Sequence, residues 1–529
     1  MKYYLALAIL AILLGGFDMS AQILTGDPAR DIPIVYDPLP EEHADENRVF
    51  QGIPSIAVAD SKNIWATWYT GGITEDKDNI VVLARSRDGG LTWTKPLFCI
   101  GLPNDIRMFD PSMWLAPDGK LHLYWSASHQ VWTMTATNPA GDAPVWSAPK
   151  YVCPGVVMNK PIVDSQGRWL IPTSVWNVDH GNKYDRSPAG PTGAWCVVSE
   201  DSGKTYCQFG RAYMPPEHAL FDEHSIVELK DGRLWLVNRT KTGIGQFFSS
   251  DKGKTWTDFQ VAPFKHTSSR FFLRRLASGN ILFIKHGDIL EDCGRSKLKA
   301  FISKDEGKTW EGGLMLDERS GVSYPDGDQA PDGTIHIIYD FDRHGQKFIH
   351  NAIITEDDVL AGKLVMPTSK LRLVVNHATG IHPARKMDPN ANGTPIEADQ
   401  PRAVMEGLDG TSSDILKPAV LLFTDRQYKL REVPKWLEGR NFIRSSIDGT
   451  KAICRQDGNA YVMTPLSHRN RDNVLVWLAE NGFVKVAQPE FVLFGDPYWG
   501  GLANTVSVFR RKMTAGETLD FGKWGILVY

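Results

Sequence analysis

Cysteine is scarce and poorly placed for metal. There are six in 529 residues, at positions 99, 153, 196, 207, 293 and 454, and none stands at ligand spacing from another. That excludes a cysteine-built metal centre. A charge excess of one sign is also missing: 58 Lys and Arg stand against 62 Asp and Glu, for a formal net charge of -4. The balance excludes the strongly basic surface of a wholesale nucleic-acid binder. No apolar run reaches the roughly 20 residues needed to span a bilayer, so no membrane span is expected in the mature chain. Acidic residues such as Asp326 and Asp328 cluster without EF-hand spacing, so no metal or other cofactor is expected.

What apolar run there is lies at the start. Lys2 precedes an apolar stretch from Tyr3 to Leu14, then Gly15-Gly16 and a small-residue exit at Ser20-Ala21. This reads as a signal peptide over 1–21, cut before Gln22, and predicts an exported protein, periplasmic or secreted. With no Cys near the exit, lipidation is not expected. Export permits disulfides, and Cys196 and Cys207 flank the turn at Asp201, so a bridge is predicted there.

The segment from Asp222 to Trp256 is the unit from which most of the chain is built. Alternating apolar residues, an Asp231-Gly232 turn and a second run from Leu234 to Val237 read as a β-hairpin. A third run, Ile244 to Ser249, leads into the turn Ser249-x-Asp251-x-Gly253-x-Thr255-Trp256. That turn recurs at Ser86 to Trp93, Ser199 to Tyr206 and Ser303 to Trp310. Asp accepts from turn N–H groups, Gly supplies positive φ and the aromatic residue buries itself, so the motif is structural. The hairpin recurs more often. Aligned on their turns, Lys62-Asn63, Asp118-Gly119, Gln166-Gly167, Asp231-Gly232, Ser278-Gly279 and Asp332-Gly333 give six copies at intervals of 47 to 65 residues.

Six such units predict an all-β chain: a six-bladed β-propeller over 22–365, whose blades bury their faces only against neighbours. The segment Ile32 to Tyr36 is expected to supply the strand that closes the ring. A Pro-, Asn- and Gly-rich stretch makes 366–415 a linker, and alternating runs such as VSVF and ILVY make 416–529 a small C-terminal β domain. Trp436, Trp477 and Trp499 are expected to fill its core or its interface with the propeller rather than to stack on sugars.

Propeller geometry turns the alignment into a site. Residues nine before each turn Gly share one ring around the axis and read Pro54, Asp110, Met158, Glu223, Arg270 and Tyr324. Those seven after it read Thr70, Ser126, Ser174, Arg239, His286 and Asp340. Three carboxylates, two arginines and a tyrosine thus converge on the funnel, where unpaired buried charge is costly unless it has a use.

These motifs resemble the sialidase (neuraminidase) superfamily of six-bladed, Asp-box (BNR) propellers, over roughly Phe50 to Gly362. The resemblance implies an exo-glycosidase that removes a terminal acidic sugar, sialic acid or a related one, from a glycan or oligosaccharide with retention. It assigns Tyr324 as nucleophile, Glu223 as its base and Asp110 as acid/base. A neutral tyrosine suits a substrate whose anomeric carbon bears a carboxylate, since an anionic nucleophile would be repelled. The family also grips that carboxylate with three arginines. Arg239 matches one and Arg295 resembles another. In the first blade the family places Arg directly before Ile-Pro, whereas this chain has Gly52 before Ile53-Pro54; Arg48, Arg107 or Arg270 are candidates to compensate. His224, His286 and Asp326 are further candidates for substrate contacts. Two other readings stay open: another glycosidase or a lyase acting on uronic-acid linkages, and a non-catalytic glycan-binding propeller.

Overall fold

The computed structural model describes residues 22–23, 32–72, 74–102, 106–127, 129–176, 192–380, 401–425, 429–430, 433–465, 471–486, 491–492, 505–522 and 524–529. The expected signal peptide and Trp499 lie outside them.

Six antiparallel sheets follow one another along the chain, their strands in sequence order from the inner edge outward except that Ile34–Tyr36 and Gln22–Ile23 add to the outer edges of the first and third. Their inner strands are Gln51–Val58, Met108–Leu115, Val156–Val157 with Ile162–Val163, Ser225–Glu228, Phe272–Arg275 and Val322–Gln329. The apolar alternation that predicted each hairpin puts side chains on both faces, and both are buried because each blade packs between two others. This is the predicted six-bladed propeller.

The ring closes differently from expectation. Ile34–Tyr36 pairs with Phe98–Gly101 on the outer edge of the first blade, not with the sixth. The sixth blade supplies all four of its strands, the outermost being Lys370–His377, so the propeller runs past 365 into the predicted linker. Closure comes from carboxylates of the last blade. Asp326 accepts from Ser55 Oγ at 2.5 Å and from the Ile56 N–H at 3.0 Å, while Asp328 accepts from the Val58 N–H at 3.0 Å. Buried Lys160 of the third blade reaches Asp326 at 2.8 Å. Its ammonium also donates to Met113 O at 2.6 Å.

The predicted disulfide is absent, and all six cysteines are free. Cys207 faces Val198, and a bulge between Trp195 and Val197 leaves Cys196 out of register with it. A one-residue irregularity is enough, because it changes which side chains meet across the pair.

The Asp-box turns are built as their composition requires. In the copy at Ser303, Asp305 accepts from the Thr309 N–H at 2.8 Å, the Thr309 hydroxyl at 2.6 Å and the Ser303 hydroxyl at 2.9 Å. Gly307 has φ 81°, and a Cβ there would lie 2.6 Å from the Trp235 ring. The Thr309 bonds hold the Asp305 carboxyl down at about 2. Asp305→Ala is expected to cost about 1 kcal/mol of stability at neutral pH, the exposure of the turn moderating the loss. Because the shift is downward, that difference is full above the ordinary carboxylate value and fades as pH falls toward about 2. Denaturant titrations of both proteins across this range check it.

Beyond the propeller lies a small β domain. A three-stranded sheet joins Val404–Gly407, Thr450–Gln456 and Thr518–Phe521, and a larger one is centred on Gly458–Pro465 and Thr505–Met513. The domain therefore takes in strands from Val404 onward, earlier than 416. Trp477 packs on Phe483 and Phe521, and Trp436 on Tyr461, so both serve this domain's own clusters.

Candidate functional site

Three neighbouring inner strands break in the same way at the axis. Ile53, Asp110 and Tyr324 have φ of 56°, 49° and 52°, each directly precedes a proline, and the strand register shifts at each. A left-handed non-glycine residue costs about 1–3 kcal/mol, and proline disfavours the right-handed alternative for the residue before it. The bulges take these side chains out of the ladder's alternation. Asp340 helps to fix two of them: its carboxylate accepts from the Ile53 N–H at 2.8 Å and from the Ser323 hydroxyl, beside Tyr324, at 2.5 Å.

Tyr324, Glu223 and Arg239 form one hydrogen-bonded group. Arg239 Nη1 donates to Glu223 Oε1 at 2.7 Å and to the Tyr324 hydroxyl at 3.3 Å. All three are buried, and Glu223 Oε2 has no hydrogen-bond partner among the described residues. The Glu223 charge, followed by Tyr324, raises the Arg239 guanidinium against the opposing effect of burial. Asp110 is buried, and its Oδ1 has no hydrogen-bond partner among the described residues. Burial, opposed by Arg107 and reinforced by Glu223 and Glu75, pushes its carboxyl up to about 8. Asp110 is therefore a protonated acid at neutral pH, within the field of Glu223.

Cations surround the Tyr324 ring. The guanidinium carbons of Arg343, Arg295 and Arg270 lie 5.0, 5.1 and 5.6 Å from its centroid. They are differently occupied. Arg270 donates to the carbonyls of Met158, Pro54 and Tyr324 at 2.7, 3.0 and 2.9 Å, tying three blades together beneath the tyrosine. Half-buried Arg295 makes no side-chain hydrogen bond or ion pair among the described residues. Burial lowers its guanidinium from the ordinary value, and the like charges of Arg343 and Arg239 act in the same direction against Tyr324 and Asp340. Donors so placed suit a bidentate anion.

The other candidates lie around this centre. Arg107 donates to the Tyr69 hydroxyl at 3.0 Å and to Glu75 at 3.4 Å, with its guanidinium over Phe109. Arg48 is engaged by Asp45, Gln51, Thr70 and Asn376. His224 lies between the carbonyls of Asp222 and Trp195, at 3.0 and 2.9 Å, and His286 lies 2.9 Å from Val322 O and stacks on His266. Burial lowers the two histidines to about 4 and about 3, so both are neutral. Asp326 is the closure carboxylate described above. Among the described residues no group of three or more His, Cys, Asp or Glu could hold a metal, and no helix is long and apolar enough to cross a membrane.

Sequence reasoning missed two residues. Arg343 stands three beyond Asp340, outside both ring registers, and donates to Glu75 at 2.8 Å. Glu75, from the loop after the first blade's second strand, thereby joins Arg343 to Arg107. Neither falls at a repeating position, so the alignment carried no signal for them.

A family model described as a BNR repeat-like domain matches residues 62–337. Among solved structures, a protein of unknown function from Dyadobacter fermentans DSM 18053 is 18% identical, with 62% of this chain and 98% of that chain covered and a TM-score of 0.46. The Hadza microbial sialidase Hz136 is 20% identical over 55% of this chain and 63% of that one, with a TM-score of 0.44. The intramolecular trans-sialidase from Ruminococcus gnavus is 15% identical over 63% and 99%, with a TM-score of 0.46. No curated protein matches the chain.

Proposed function

We propose that this chain, which belongs to the BNR repeat-like domain family, is an exported exo-glycosidase. Its reaction is hydrolysis of a terminal acidic sugar, sialic acid or a related one, from a glycan with retention. The observation that carries the reading is the Arg239 guanidinium shared by Glu223 Oε1 and the Tyr324 hydroxyl. Glu223 takes the phenolic proton on its unpartnered oxygen while Tyr324 Oη attacks the anomeric carbon. Asp110 gives its proton to the departing glycosidic oxygen, so the bond to the leaving sugar breaks as the bond to tyrosine forms. Asp110, now a carboxylate, takes a proton from water, and the resulting oxygen displaces Tyr324, which recovers its proton from Glu223. Arg239 meets the negative charge on the phenolic oxygen, and Arg239 and Arg295 offer forks to the substrate carboxylate.

The acid role of Asp110 has a pH signature. kcat/KM is expected to fall as pH rises through about 8, where the buried carboxyl ionises. Asp110→Asn should remove that limb and lower kcat/KM by about 10²- to 10⁴-fold. The upward shift also sets a stability sign: the contribution is full below the ordinary carboxylate value and lost as pH passes about 8. The Asn variant should therefore gain stability relative to the parent at pH above this value. A pH–rate profile unchanged by the substitution removes Asp110 from the acid role.

A further inference from the structure

Gly52 lies in an inner strand whose residues are all buried, a place where glycine adds backbone freedom and packs nothing. It is not among the glycines with left-handed φ, so the backbone does not require it. Space does. A Cβ on residue 52 would stand 2.2 Å from Arg343 Cδ, 2.7 Å from Arg343 Cγ and 2.9 Å from Asp340 Oδ2. The stem of Arg343 thus fills the notch left by the missing side chain, and its guanidinium emerges 5.0 Å from the Tyr324 ring.

The arginine is held for this position. Asp342 accepts from the N–H groups of Gly345 and Gln346 at 3.2 and 3.0 Å, fixing the turn that carries it. The Gln51 N–H donates to Arg343 O at 3.3 Å, tying that turn to the first blade. Glu75 holds Nη1, and Asp340 lies 3.9 Å from Nε. Nearby carboxylates keep the guanidinium charged despite burial, Glu75 most strongly and then Asp340.

We infer that Arg343 is the third arginine of an anion clamp with Arg239 and Arg295, admitted from the sixth blade by Gly52, and that it grips the carboxylate of an acidic sugar. The inference rests on the proposed glycosidase reading and adds a specificity-determining residue to it. Gly52 and Arg343 are one device: a Cβ at 52 would force the stem of the arginine to shift.

Calorimetric titration of the intact protein with N-acetylneuraminic acid and with D-glucuronic acid tests this, alongside melting curves for each variant. Arg343→Ala should weaken binding of the preferred acid at least about 10-fold, and Arg343→Lys, which keeps charge but not the fork, by less. Gly52→Ala should match Arg343→Ala, and the double variant should be no worse than either, because both remove one interaction. Binding by the parent that survives Arg343→Ala, or additive losses in the double variant, overturns the clamp and leaves the glycosidase reading standing. A parent that binds neither acid overturns both.

Discussion

Replacing Tyr324 by Phe is expected to lower kcat by on the order of 10⁴-fold or more, the scale of removing a covalent nucleophile. Stability should hardly move. The hydroxyl accepts one bond, from Arg239 at 3.3 Å, worth about 1 kcal/mol at most. The ring keeps its place between Arg270, Arg295 and Arg343. Arg239 retains its stronger partner, Glu223, at 2.7 Å. Turnover lost with the melting transition intact therefore separates a nucleophile from a packed aromatic residue. Near-normal turnover rejects the assignment, since phenylalanine has no atom that can attack.

Glu223→Gln should lower kcat by about 10²- to 10⁴-fold, because an amide cannot take the phenolic proton. Unlike the tyrosine change, it should also reduce stability. The amide oxygen can still accept from Arg239, but a buried guanidinium then lacks its counter-charge, at a cost of about 1–3 kcal/mol. The two substitutions together should cost little more activity than Tyr324→Phe alone, since base and nucleophile act as a unit. Were the pair only a structural ion pair, Glu223→Gln would lower stability and leave kcat intact.

Much of the fold was legible because it repeats. The turn glycines at 119, 167, 232, 279 and 333 set the register, and that register alone placed Glu223, Arg239 and Tyr324 together before any distance was known. The same method assigned Arg270 to the ring but could not tell that its guanidinium ties three backbone carbonyls. Occupancy depends on neighbours from other blades, which periodicity does not encode. The disulfide expectation failed through a bulge at Trp195 to Val197, a local slip invisible in cysteine spacing. Ring closure was misread because the sixth unit has no Asp-box to mark its outer strand, Lys370–His377.

Arg343 shows the limit most clearly. It lies off the repeat register, and its place is made by an absent side chain, so the sequence signal was a departure at Gly52 rather than a residue that matched. With Arg343 in the notch, a guanidinium reaches the Tyr324 ring from the side of the missing residue. The proposed clamp needs no first-blade arginine.

The most direct test of the central claim is to incubate the protein with sialylated and uronate-capped oligosaccharides and identify the products by mass spectrometry. A tyrosine-nucleophile glycosidase releases an intact acidic monosaccharide, with one water added across the broken bond. An unsaturated sugar, or both oligosaccharides recovered uncut, would contradict it.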